Sequence, residues 1–324
     1  MELYLVNSTK TPVQFEQKSV AALSYPSLPG SRLFSYQTPS IELMVKELIT
    51  DLFTIRYNVF RFGKNQAIET FSHQAGVHSR VLLQGDLHYD IEQIGNLHQR
   101  EESISMIWSE EARCTALFEG GKEYRTLDIY VSPGLWEQLS FFFPELRLHW
   151  QNEKPKLLLP QPCFVTPAVK DVINEILDCP YDEQTSRFYF DLKVREYLYV
   201  LLEQCLRMKK SRYRYTPYDA EQIYKAREIL LANLGKPPRT IRELAKMVGL
   251  NEDKLKAGFK HFFGVAVFEA FQHARMEKAR DLLLHTNEPI KAIASLTGYL
   301  RTTNFITAFR KYFGYTPASL RRKR

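Results

Sequence analysis

The chain has 324 residues, 44% of them hydrophobic and 25% charged, which fits a folded protein of roughly two domains and excludes a disordered one. No stretch nears the roughly 18 apolar residues of a membrane helix, and the opening MELYLVNSTKTPVQFEQK lacks the basic region and small-residue cleavage site of a secretory signal. A cytoplasmic protein is therefore expected, without a membrane partner. Charge is uneven: residues 209–324 hold 24 Lys/Arg against 10 Asp/Glu, a net of +14, whereas the first 208 hold 20 against 27. A cationic last third seeks polyanions, nucleic acid first.

The first part reads as β. Residues 53–60, FTIRYNVF, alternate Phe53, Ile55, Tyr57 and Val59 with Thr54, Arg56 and Asn58, the period of a half-buried strand. DLHYDIEQ (86–93) and TLDIYV (126–131) alternate likewise. Gly120-Gly121 predicts a hairpin turn between two such runs. Ser132 as N-cap with Pro133 at the first helical position predicts a helix over SPGLWEQLSFFF. Residues 1–154 thus predict a small antiparallel barrel or sandwich closed by a helix. Its aromatics, Trp108, Tyr124, Tyr130, Trp136 and Phe141 to Phe143, read as core. His88, Asp90 and Glu92 follow i, i+2, i+4, a spacing open to metal ligation. Opposite Leu87, Tyr89 and Ile91, however, they read first as a solvated outer face. Glu69, His73 and His78 fit no cupin metal pattern. The cysteines Cys114, Cys163, Cys179 and Cys205 stand far apart without a CxxC pair, as reduced thiols. No metal and no cofactor is expected.

Pro155, Pro160, Pro162 and Pro167 predict a linker, which with two helical stretches (168–178 and 186–208) fills 155–218. The second stretch contains YLYVLLEQCL, apolar on more than one side. It suits burial between domains or subunits, or in one domain's own core. From Asp219 onward the pattern is helical. Gly235 and Pro237-Pro238 end one helix, and TIRE (240–243) is a capping box that opens the next.

One punctuated pattern then occurs twice, at about 241–263 and 290–313. ELAKMVGL supplies Ala245 and Gly249, and AIASLTGY supplies Ala294 and Gly298. A small residue four positions before a turn glycine lets two helices cross steeply, the requirement of a helix-turn-helix. The second helix of each copy has an apolar stripe, Leu255, Phe259 and Phe262 in the first and Phe305, Phe309 and Tyr312 in the second. The outward sets are Asp253, Lys256, Ala257 and Lys260, then Thr303, Ile306, Thr307 and Arg310, flanked by Arg301, Thr302 and Asn304. Each set follows i, i+3, i+4, i+7, a stripe that fits a major groove. Lys256 suits guanine acceptors, the threonines several bases, and Ile306 a thymine methyl; Lys260 and Arg310 suit phosphates.

Residues 219–324, with ARMEKARDLL (274–283) and the ending FRKYFGYTPASLRR, resemble the DNA-binding domain of the AraC/XylS-type transcription regulators. DKLKAGFKHFFGVAVFEAF is similar to the branch that holds pyochelin-responsive, siderophore-linked regulators. The fold class that follows is α+β: a β-rich N-terminal sensor domain, then an all-α C-terminal domain with two helix-turn-helix units. The resemblance implies a transcription activator with a small-molecule effector in the first domain, RNA polymerase as a partner and a homodimer as a further option. Two departures stand out. Ala257 and Thr307 occupy positions where family members often carry arginine, and Arg301 stands where a small capping serine is usual. A rival class, the DNA-repair alkyltransferases that carry this module, needs Pro-Cys-His-Arg. Pro162-Cys163 is followed here by Phe164-Val165, and no GxSxG, P-loop, HExxH or GxGxxG occurs. No enzymatic activity is expected.

Overall fold

A computed structural model describes residues 2–6, 11–18, 26–143, 155–159, 163–209 and 213–322. The chain divides into two compact units, Met1–Leu206 and Arg207–Arg324.

The first unit is built on strands β1 (Glu2–Val6), β2 (Thr11–Pro12), β3 (Glu16–Lys18), β4 (Arg32–Thr38), β5 (Ile41–Ile49), β6 (Phe53–Phe62) and β7 (Gln66–Ser72). These are followed by β8 (Gly76–Gln84), β9 (Asp86–Ile91), β10 (Gly95–Arg100), β11 (Ser103–Ser109), β12 (Ala112–Phe118), β13 (Glu123–Val131) and β14 (Lys156–Leu157). They form two antiparallel sheets, ordered β10-β9-β12-β7-β1-β2 and β14-β11-β8-β13-β6-β5-β4-β3. An apolar core between the sheets includes Leu43, Phe60, Phe62, Ile68, Leu87 and Tyr124. Among the described residues, helices α1 (Pro133–Ser140) and α2 (Pro167–Leu177) and most of α3 (Glu183–Lys209) belong to this unit. Ser132 caps α1, accepting from the Leu135 amide, with Pro133 in the first turn as its sequence predicts. On α3, Phe190, Val194, Tyr197, Leu198 and Leu201 are buried, and the Tyr197 hydroxyl hydrogen-bonds Ser79 on β8 at 2.7 Å.

Three expectations are corrected here. Strand β6 is not half-buried: Thr54, Arg56 and Asn58 are as buried as their apolar neighbours, because both of its faces are covered. Gly120-Gly121 does not close a hairpin, since β12 and β13 lie in different sheets. The pair instead carries the chain from one sheet to the other, where Gly121 donates to the Phe62 carbonyl at 2.7 Å and Gly120 to Asn65 Oδ1 at 2.9 Å. A Cβ on Gly120 would lie 2.7 Å from Lys64 Cα, which explains the small residue. Finally, the proline-rich stretch joins the first unit where it is described. Strand β14 pairs with β11 as the edge of the larger sheet, a place that tolerates proline nearby. Ile104 N donates to the Cys163 carbonyl and Val165 N to that of Glu102. Pro160 and Pro162 lie outside the described residues.

The second unit is helical: α4 (Pro217–Leu231), α5 (Ile241–Met247), α6 (Glu252–Phe263), α7 (Val267–His285), α8 (Ile290–Leu296), α9 (Thr302–Phe313) and α10 (Pro317–Arg322). Thr240 and Glu243 form the capping box of α5. Both turn glycines are left-handed, Gly249 at φ 67° and Gly298 at φ 77°. Behind each, the next amide reaches back five residues: Leu250 N to Ala245 O at 3.0 Å, Tyr299 N to Ala294 O at 2.8 Å. That is the Schellman closure, and it uses carbonyls the helix end leaves free. Ala245 and Ala294 are both buried, as the steep crossing requires.

The two turns differ in what surrounds them. Beneath Gly298 lies Arg275 of α7, whose Nε and Nη2 donate to the carbonyls of Leu234 and Lys236, each at 2.9 Å. Its guanidinium sits 4.4 Å from the Phe271 ring centroid and 5.6 Å from that of Tyr299. A Cβ on Gly298 would meet Arg275 Nη2 at 2.3 Å, whereas one on Gly249 would meet only the Tyr218 hydroxyl at 3.9 Å. Gly249→Ala should therefore cost only the left-handed penalty, about 1–2 kcal/mol. Gly298→Ala adds a clash and should cost about 2–4 kcal/mol. Urea midpoints of the helical unit's transition in the full chain check the order.

Candidate nucleic-acid interface and inter-sheet cavity

The two outward helices are α6 and α9. In α6 the stripe of Leu255, Phe259 and Phe262 is buried, and in α9 Phe305 and Phe309 are fully buried. Tyr312 is half-buried and donates its hydroxyl to Glu277 Oε1 on α7 at 3.3 Å. With one face fixed in the core, the opposite face points to solvent.

Among the predicted contact residues, Asp253, Lys256, Lys260, Arg301, Thr303, Asn304, Thr307 and Arg310 are exposed. Ala257, Thr302 and Ile306 are half-buried, and Ile306 packs against the core of Met276, Ile293 and Phe305, so only part of it faces outward. Lys256 Nζ lies 3.4 Å from Asp253 and 3.9 Å from Glu252. Such exposed helix pairs are worth roughly 0.3–0.5 kcal/mol, so its ammonium is released at little cost. The Thr307 hydroxyl donates to its own helix at the Thr303 carbonyl, 3.0 Å away, which leaves acceptor lone pairs and a methyl outward.

The starts of the two helices are unequal. Asn251 caps α6, accepting from the Lys254 amide at 2.7 Å. Arg301 occupies the cap of α9 and makes no side-chain cap bond. The second turn is one residue longer and leaves Leu300 fully exposed beside Arg301. The start of α6 is held from behind as well. Lys254 Nζ lies 2.6 Å from Asp219 Oδ1, and Asp219 also closes the capping box of α4 with Thr216. Burial pushes the Asp219 carboxyl up, but Lys254 and the Thr216 amide and hydroxyl outweigh it and hold it below the ordinary value. At the other end of α6, Tyr215 packs on His261 and Phe262, with centroids 4.8 and 5.1 Å away.

In the first unit a cavity of about 90 Å³ lies between the sheets. Arg56, His78, Arg80, Tyr89, Cys114 and Asp128 are among its lining residues. Arg80 grips Asp128 with two hydrogen bonds, 2.9 and 3.0 Å long, and Asn58 Nδ2 donates to Asp128 Oδ2 at 3.0 Å. Burial pushes the His78 imidazole down to about 4, so it is neutral at physiological pH, and its Nε2 donates to the Gln74 carbonyl. Burial pushes the Tyr89 phenol up to about 12. The cavity therefore presents neutral donors and acceptors around the Arg80–Asp128 pair and a second guanidinium, Arg56, whose partner Glu47 lies outside the lining.

The residues whose sequence spacing is open to metal ligation are dispersed. Glu69 pairs with Arg113 at 3.2 Å, His73 with Glu111 at 3.5 Å, and His78 lines the cavity. Glu92 lies in the turn past β9, 3.9 Å from Arg113, and not on the strand face with His88. His88 instead meets His98 and Asp86. Cys163 is fully buried. A hydrogen bond with Cys205 and burial together push its thiol well above the ordinary range, the opposite of an activated nucleophile.

A family model described as a helix-turn-helix domain matches residues 244–323, and one described as the regulatory protein PchR N-terminal domain matches residues 54–214. Regulatory protein PchR of Pseudomonas aeruginosa is 30% identical over 145 residues, 44% of this chain and 47% of that protein. The HTH-type transcriptional activator RhaR of Pectobacterium atrosepticum is 26% identical over 187 residues, 55% of this chain and 64% of that one. The chain thus spans about half of the first relative and less than two thirds of the second. Among solved structures, the C-terminal domain of AraT, a response regulator from Geobacillus stearothermophilus, is 30% identical, covers 35% of this chain and 89% of its own, and superposes with a TM-score of 0.31.

Two changes test the local account. Arg301→Ser should add the missing cap and raise the stability of the helical unit by about 1 kcal/mol, measured by urea unfolding. Asp219→Asn should lower that stability at neutral pH. A carboxyl whose folded value is depressed stabilises above its unfolded value, and that stabilisation is lost as pH falls through the folded one. The midpoints of variant and parent should therefore converge in acid.

Proposed function

Because this chain belongs to the AraC/XylS-type DNA-binding transcription regulators and carries an N-terminal regulatory domain, we propose that α6 and α9 read successive major-groove segments on one face of a duplex. The observation that carries this reading is the exposed stripe on each of two helices whose other faces are locked in the core, within a third of the chain bearing a net +14. Adjacent segments on one DNA face recur about every 34 Å. A single chain then recognises a site without two-fold symmetry.

Each residue's role follows from its chemistry. Lys256 donates to guanine O6 and N7, Asp253 accepts from cytosine N4, and Thr303, Asn304 and Thr307 serve several bases. Ala257 and the outward part of Ile306 offer apolar contact to thymine methyls. Lys260, Arg310 and Arg301 neutralise phosphates, and Thr302 at the start of α9 supports that contact.

For the first domain the proposed role is control by a small effector held in the inter-sheet cavity, with activation of transcription through RNA polymerase as the output. The protein acts in the cytoplasm, on the nucleoid, as a monomer or a homodimer. The resemblance of the helical region to siderophore-linked regulators motivates a siderophore-type effector. At about 90 Å³ the cavity is smaller than the roughly 150 Å³ void that holds benzene, so a ligand of siderophore size requires the sheets or the lining side chains to part. Control then operates through that opening, since a ligand shifts an equilibrium only by its differential affinity for two states. The alkyltransferase alternative is disfavoured by the buried, high-pKa Cys163.

Fluorescence anisotropy on a selected duplex and its single-base variants tests the DNA reading. Lys256→Ala should relax discrimination at one base position by about 1–3 kcal/mol. Lys260→Ala should weaken all duplexes alike and reduce the log–log salt slope by about 0.9. Equal, sequence-independent loss from both variants would remove the assignment.

A further inference from the structure

The hairpin formed by β9 and β10 carries a cluster used neither by the DNA-reading helices nor by the cavity. The register sets His88 opposite His98 and Asp86 opposite Arg100. Directly opposed side chains on one sheet face are near neighbours. Here the two imidazoles lie parallel, 9° between planes, with centroids 4.0 Å apart. Asp86 reaches both: its Oδ1 is hydrogen-bonded to His98 Nε2 and stands 3.9 Å from His88 Nε2. One ligand atom from each of the three residues falls within 4.8 Å of the others, and all three side chains are exposed.

We propose that Asp86, His88 and His98 form a binding site for a late first-row divalent cation, zinc foremost. Two imidazole nitrogens and one carboxylate oxygen suit zinc, nickel or copper; calcium and magnesium prefer all-oxygen sets. An ion held about 2.0–2.2 Å from each donor needs donors about 3.4 Å apart. The observed spacing closes to that by rotation of exposed side chains on a fixed ladder. Three protein ligands leave a fourth position for water. Asp90, two residues beyond His88 on β9, adds negative charge to the neighbourhood. Arg100, opposite Asp86 in the register, adds a positive charge to the same neighbourhood. Strand β10 is the edge of its sheet, so the ion bridges the last two strands on the face opposite the Tyr89–Gln99 hydrogen bond that already links them. The site is independent of the DNA reading.

The test uses the untagged full chain, stripped with chelator and dialysed. It is titrated with zinc chloride by calorimetry and with cobalt(II) by visible absorption; magnesium serves as the control. The expected result is one zinc per chain at about micromolar affinity, a cobalt d–d spectrum of a mixed nitrogen–oxygen site, and no magnesium binding. His88→Ala and His98→Ala should each weaken zinc at least about tenfold. His73→Ala, which removes a histidine paired with Glu111 elsewhere in the unit, should leave it unchanged. The variants alter exposed side chains, and circular dichroism confirms that they fold. The proposal is overturned by zinc binding of undiminished affinity in the double variant His88→Ala/His98→Ala, or by no zinc binding tighter than that of magnesium.

Discussion

A left-handed glycine seated behind a buried alanine is the constraint on which both helix-turn-helix units depend. It ends one helix within a single residue, lets the next amide close the orphaned carbonyl, and sets the angle at which the second helix leaves. Everything outward on α6 and α9 is outward because Leu255, Phe259, Phe305 and Phe309 are locked inward from that angle. Between the two units runs α7, and Arg275 makes it more than a spacer. Its guanidinium ties the 234–236 segment to the floor of the second turn through two carbonyls. Burial lowers the pKa of this cation, but a guanidinium stays charged. Its two carbonyl bonds and the ring faces of Phe271 and Tyr299 replace the water it gives up.

The two units solve opposite electrostatic problems. The helical unit, Arg275 apart, leaves Lys256, Lys260, Arg301 and Arg310 exposed on its surface. The β unit buries charge, and therefore pairs it. Arg80 and Asp128 neutralise each other across neighbouring strands, while burial keeps His78 uncharged. A cavity so arranged offers direction and hydrogen bonding, with the Arg56 guanidinium, paired with Glu47, as a further cation in its lining.

Legibility in the sequence tracked the range of the interaction. The caps, the doubled glycines, the alanines four residues before them and the two apolar stripes lie within a dozen residues of one another, and their periodicity carries the helical fold. Ala257 and Ile306 were harder, because i+4 spacing alone does not separate the outer face from its margin. The cavity left no local trace: Arg80 and Asp128 are 48 residues apart, and Arg56 and Asn58 looked like the wet side of a strand that is in fact covered on both faces. Gly120-Gly121 carries no local mark of its role for the same reason, since a sheet-to-sheet crossing and a hairpin use one composition. His88 stands out in the period of its own strand, but its partner His98 is reached only across the ladder.

Selection of bound duplexes from a random pool by the full chain, followed by sequencing, tests the central claim most directly. Two rigidly linked reading helices predict an enriched motif of two dissimilar segments, centred about 10–10.5 base pairs apart. A single contiguous segment, or no enrichment over the starting pool at moderate salt, would contradict it.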